Sequence, residues 1–169
     1  MMKWRLLLLG NDLRSIGQSN DVVQLLKSQD DFDSLFKLIF DADRIVAMRA
    51  ADALEKCSVI NPSYLTKHKA EILRLSSDCS HIELKWHLAL FISRIHFLDS
   101  EIESVSAILF GWLCNKSESK IVRVNALQAI VDLVKDFPNV KKKLEMVLPE
   151  IIDENIPSLK ARIKKLKLQ

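Results

Sequence analysis

The side chains best suited to chemistry gather between residues 79 and 96. Glu83 and His87 stand four apart, with His81 just before them. On a helix that spacing puts a carboxylate and an imidazole on one face, the start of a zinc site or an acid–base pair. Zinc needs three or four ligands, and two do not make a site. No metal, cofactor or small-molecule substrate is therefore expected, and His87 reads as a solvated histidine. His68 and His96 have no evident partner in the sequence. Cys57, Cys79 and Cys114 are odd in number and contain no Cys-x-x-Cys pair, which argues against a disulfide framework and for a reducing, cytoplasmic setting. Cys57 and Cys114 fall in apolar helical stretches, where thiols behave as small core residues. With 3 glycines in the chain, little material exists for phosphate-cradling loops. No catalytic set emerges, and the chain does not read as an enzyme.

Charge supplies a different chemistry. The net charge of +3 is unevenly placed, because Lys160, Arg162, Lys164, Lys165 and Lys167 add five cations with no acid after residue 154. The remaining 20 basic and 22 acidic residues sum to −2. Such a tail either caps a terminal helix, keeping its outer face soluble and complementing its dipole, or contacts phosphates or an acidic partner. No aromatic residue interleaves these cations, so any nucleic-acid contact through them would be non-specific. Lys141, Lys142 and Lys143 sit near a helix start, where the dipole disfavours cations.

The elements that carry these residues repeat. Val46-Ala47-Met48-Arg49-Ala50-Ala51-Asp52-Ala53-Leu54, the segment from Leu84 to Ile92, and the segment from Val122 to Ile130 begin at 46, 84 and 122, a spacing of 38. Counting the first residue as zero, each is apolar at positions 0, 4, 5, 7 and 8. A fixed period of this kind marks stacked helical repeats. At about 100° per residue, positions 0, 4, 7, 8 and 11 share one arc. Positions 3, 6 and 10 collect opposite it: Arg49, Asp52 and Lys56; His87, Leu90 and Arg94; Asn125, Gln128 and Asp132. That column is expected to face solvent or a partner. Met48, Trp86 and Val124 form a neighbouring apolar strip, either inter-repeat packing or a binding surface with Trp86 as its anchor.

Along the chain, the 49% hydrophobic and 28% charged composition fits a folded chain. The spacing predicts helices at 3–9, 21–27 capped by Asp21, and 31–40 capped by Asp31 or Asp33. Further helices are expected over 44–58, 63–76, 80–97, 100–115, 118–136, 139–152 and 156–168. Breaks are expected at Gly10-Asn11 and between Gly17 and Asn20. The basic, apolar start resembles a signal peptide but has no cleavage site, so it reads as a first helix. No stretch approaches the ~20 apolar residues of a membrane span.

The repeated segment resembles the second helix of the HEAT repeat family, with Val122-Arg123, Ala126-Leu127 and Ala129-Ile130 in the motif positions. Ala47 and Lys85 replace the arginine in the other copies. Asp41 and Asp43 look like the family's turn aspartates, whereas later turns carry Asp78 and Glu118. The resemblance covers roughly residues 31–153. It implies an all-α, right-handed α-α superhelix (a solenoid) of about four HEAT-like hairpins, each with a helix A and a helix B. Residues 1–30 would form a degenerate N-terminal cap and residues 154–169 a basic capping helix of a single repeat domain. It also implies a non-catalytic interaction module or scaffold whose helix B surfaces line a concave face. The contacts to a protein partner would be Arg49, Asp52, Lys56, Trp86, His87, Arg94, Asn125, Gln128 and Asp132. The alternative is nucleic-acid binding through the basic C-terminal helix. One family of DNA glycosylases is similar at fold level, but its helix-borne aspartate has no counterpart in the ten residues after Trp86.

Overall fold

The computed structural model describes residues 2–9 and 18–168. Every regular element among them is helical. The expected Gly10-Asn11 break and Gly17 lie outside the described residues, while Ser19 and Asn20, expected in the second break, already belong to a helix. Two compact units divide the chain, Met1–Lys69 and Ala70–Gln169.

In the first unit, α1 (Met2–Leu8), α2 (Ser19–Leu25) and α3 (Gln29–Phe36) precede a 3₁₀ segment at Lys37–Phe40. Helix α4 (Arg44–Ile60) follows, and a second 3₁₀ segment runs over Pro62–His68. Helix α4 packs against α1, α2, α3 and both 3₁₀ segments. Asp43 caps it, its carboxylate accepting the Ile45 amide at 2.9 Å. Val46, Ala50, Ala53, Leu54 and Cys57 enter the core. Their small residues let neighbouring helices close on more than one side.

Two expected caps are corrected. Ser28, not Asp31 or Asp33, caps α3: its hydroxyl accepts the Asp31 amide at 3.2 Å, and Asp31 in turn accepts the Lys27 amide at 3.1 Å. This reciprocal arrangement satisfies donors at the helix entrance that a lone aspartate would leave open. Helix α2 begins after Gln18 without a side-chain cap, and Asp21 lies in its first turn. There its charge still complements the dipole.

The second unit contains α5 (Lys69–Asp78, starting at the boundary), α6 (Ile82–Ile92), α7 (Asp99–Cys114), α8 (Lys120–Val134), α9 (Pro138–Asp153) and α10 (Pro157–Leu166). Helix α8 is its centre, packed against α6, α7, α9 and α10. Accordingly Val122, Val124, Ala126, Leu127, Ala129, Ile130 and Leu133 are all buried. Each large aliphatic among them contributes about 1.5–3 kcal/mol of burial free energy.

Three helix boundaries differ from the periodicity, the first being the helix expected over 31–40, which turns 3₁₀ at Lys37. The helix expected over 63–76 starts as the 3₁₀ segment Pro62–His68 and becomes α-helical only at Lys69. The Tyr64 carbonyl, which an α-helix would offer to residue 68, instead accepts Gln29 Nε2 at 3.1 Å. The helix expected over 80–97 ends at Ile92, where the amides of Arg94 and Ile95 turn back to the carbonyls of Phe91 and Ile92. Such three-residue bonds tighten and terminate a helix. At the other end of the unit, Lys167 adopts a left-handed conformation at φ 55°, and the Leu168 amide closes on the Ile163 carbonyl at 3.2 Å.

Candidate functional site

The motif arginine position turns out to be a clamp between successive repeats. Arg123, in the second position of its copy, is 1% exposed. Its Nε donates to the Leu113 carbonyl at the end of α7 at 2.8 Å. Both terminal nitrogens donate to the Glu154 carboxylate at 2.7 Å, across the turn ahead of α10. This forked, charge-assisted geometry is the strong form of the interaction, and the guanidinium holds the Glu154 carboxyl below its usual range. Lys85 occupies the same position in α6 and reaches Glu118, in the turn before α8, at 2.5 Å. Burial pushes the Glu118 carboxyl up, but Lys85 and the Ser119 amide together bring it below its ordinary value. In the first unit, Arg5 of α1 pairs with Asp41 ahead of α4 at 2.8 Å. At the motif position Arg123 and Lys85 thus join a helix to the turn one repeat later; the first copy carries Ala47 there, and Arg5 makes the comparable link from outside the repeated segments.

The polar column departs further from expectation. Arg49 is 2% exposed and donates to the Leu8 carbonyl at 2.8 Å. His87 is 6% exposed, with its ring edge-on to Trp86 at 5.4 Å. Neither side chain faces solvent, so the reading of His87 as solvated and of Arg49 as a surface contact is corrected. The other members are half-buried and many bridge neighbouring helices. Asp52 accepts from Ser19 of α2 and from Lys56, whose ammonium also reaches Asn20 at 2.8 Å. Asn125 of α8 donates to the Trp86 carbonyl of α6 at 3.2 Å. Gln128 accepts from Arg162 of α10 at 3.0 Å and donates to Asp132 at 3.1 Å. The column is a hydrogen-bonded seam between B-type helices. The physical reason is coverage: α8 has α6 on one flank and α10 on the other, so side chains opposite the core arc still meet protein. Along the apolar strip Val124 is buried, while Met48 and Trp86 retain partial exposure.

A second polar cluster was invisible in the sequence. Asp33 of α3 accepts from His68 Nε2 and Gln29 Nε2, both at 2.7 Å, and pairs with Lys67. His68, expected to be partnerless, also stacks on Phe36 with ring centroids 3.9 Å apart. Burial raises the Asp33 carboxyl, but hydrogen bonds from Lys67, Gln29 and His68 outweigh it and leave it at about 2. An aspartate–imidazole pair of this kind orients a ring, yet its other neighbours are aromatic walls and a lysine, so the cluster is built as a fastener of the 3₁₀ segment onto α3.

Cys57 is buried, and burial pushes its thiol up to about 11. Cys114, expected in the core, is exposed at the end of α7. Among the described residues no group of three or more His, Cys, Asp or Glu could hold a metal ion. No helix among them is long and apolar enough to cross a membrane. In the terminal helix, Leu159 and Ile163 are buried, Arg162 joins the seam, and Lys160 bonds Asn155. Lys164, Lys165 and Lys167 are exposed.

A family model described as HEAT repeat domain matches residues 11–168. No curated protein and no solved structure matches the chain.

Proposed function

This chain belongs to the HEAT repeat domain family, and on that premise we propose that it is a non-catalytic scaffold that docks a protein partner. The docking face lies in the second unit, where α6, α8 and α10 stand side by side. The observation that carries the reading is the half-exposed, mixed-charge surface left over the seam. Trp86 offers a partly open indole, the type of anchor that dominates protein interfaces. Asn125 lies against it, and Arg94, Gln128, Asp132 and Arg162 extend the seam with donors and acceptors of both signs. That mixture suits a peptide-like or folded protein surface better than a polyanion, which asks for uniform positive charge. Arg49 and His87 drop out of the contacting set because they are interior. Asp52 and Lys56 belong to the equivalent seam of the first unit.

The test is affinity capture from extract by the intact chain and by a Trp86→Ala, Arg94→Glu, Asp132→Lys variant, with thermal melts in parallel. Loss of captured protein at an unchanged melting temperature supports the docking face. Unchanged capture, or a melting loss that accounts for it, refutes it. Nucleic-acid binding through the basic C-terminal helix is checked by oligonucleotide anisotropy, where phosphate contacts would weaken steeply with salt.

A further inference from the structure

We infer that the C-terminal corner of the second unit carries a separate docking site for an acidic peptide with an apolar anchor. A cavity of about 300 Å³ opens between the end of α8, residues 141–148 of α9 and the residues after α10. Val131, Val134, Leu144, Leu148 and Leu168 give it an apolar lining. All but Leu144 stay partly exposed, so apolar surface faces water at a cost of about 25 cal/mol per Å² until something covers it. The volume is at the small end of binding pockets, about 300–1,000 Å³, and suits a Leu or Phe side chain or two.

The rim is cationic. Lys141 and Lys167 line it directly, against one acid, Glu145, whose carboxylate makes an exposed pair with Lys141 at 3.7 Å. Lys142 adjoins Lys141, while Lys164 and Lys165 precede Lys167 by less than one turn; all three are exposed. The α9 lysines follow one another directly in its second turn, so their like charges repel. A partner carboxylate would relieve that repulsion and meet the α10 cations at once. Charge complementarity therefore selects an acidic occupant, and the apolar floor selects one with a hydrophobic side chain to insert. A nucleic acid matches the charge but wastes the floor, which holds no aromatic ring for base stacking. None of these residues belongs to the Trp86 face, so either site can fail without the other.

The experiment uses the full chain and three fluorescein-labelled probes. The first is a dodecapeptide with glutamates between a leucine and a phenylalanine spaced four apart. The second replaces both anchors with serine, and the third is a single-stranded oligonucleotide. Anisotropy at low salt is expected to rank the anchored peptide first, at least about tenfold tighter than either other probe. Leu148→Asp and Lys141→Glu are each expected to weaken it about tenfold. Lys120→Glu, at the opposite end of α8, leaves it unchanged. Circular dichroism melts verify folding, and Lys141→Glu carries the test if Leu148→Asp unfolds. Equal binding of the serine peptide, preference for the oligonucleotide, insensitivity to Lys141→Glu, or no binding overturns the inference.

Discussion

Removing the Glu154 carboxylate should expose how much the repeat clamp contributes. Glu154→Ala leaves the Arg123 guanidinium, 1% exposed, with the Leu113 carbonyl but without its counter-ion. Breaking a buried pair from one side costs about 3–5 kcal/mol. Here Glu154 keeps 12% exposure, so water can partly replace it, and a cost of about 2–3 kcal/mol is expected. For a chain of this length that lowers the melting temperature by about 4–12 °C. Replacing both partners, Arg123→Met with Glu154→Leu, should bring stability back to within about 1 kcal/mol of the parent, because no charge is then stranded. The pH dependence has a fixed sign. The Glu154 carboxyl lies below its ordinary 4.5 in the folded chain, so its contribution is complete above 4.5 and is lost as pH falls through the depressed value. The gap between parent and Glu154→Ala must therefore narrow in acid. Urea unfolding followed by circular dichroism at neutral and acid pH measures the parent, the single and the double variant. A single variant within about 0.5 kcal/mol of the parent at neutral pH, or a gap that stays constant in acid, would refute the reasoning.

Arg49→Glu should unfold the first unit, since it forces an anion against the Leu8 carbonyl in a site 2% exposed. Arg49→Met, which keeps the aliphatic volume, should cost only about 1–3 kcal/mol for the lost charge-assisted bond; urea midpoints that rank the two equally would count against an interior arginine. Asp33 falls from its ordinary 3.8 to about 2 on folding, a difference of at most about 2.5 kcal/mol and nearer 1 once solvent is allowed for. That stability is present above pH 3.8 and disappears as pH drops through 2. Asp33→Asn should flatten the acid limb of a stability–pH curve, and an unchanged limb would show that the carboxylate is not what holds His68.

Local reading worked where local forces decide. Helices α4 and α8 were legible because their apolar residues recur at the helical period, and Asp43 stands at the start of α4 as a cap. It failed where a distant partner outbids the helix. The carbonyl of Tyr64 is taken by Gln29, 35 residues away, and no window around residue 64 contains that information. The column was misread for a related reason: a single helix seen at 100° per residue has one covered side, whereas α8 is covered by four neighbours. Yet part of the missing information follows a rule already present in the sequence. Arg123 meets Glu154 at a separation of 31, Lys85 meets Glu118 at 33, and Ser19 meets Asp52 at 33. Gln128 and Arg162 are 34 apart, His68 and Asp33 35, Arg5 and Asp41 36, and Asn125 and Trp86 39. Every one of these spans about a single repeat. Stacking sets each element beside its counterpart in the next repeat, so polar groups one period apart become neighbours, just as residues four apart do on one helix. The 38-residue period therefore does more than name a fold class. Stacking thus brings polar groups some 31 to 39 residues apart within reach of one another. An offset of 38 itself lands on Ala161 for Arg123 and on Arg123 for Lys85, so the period sets the range and the local packing picks the partner.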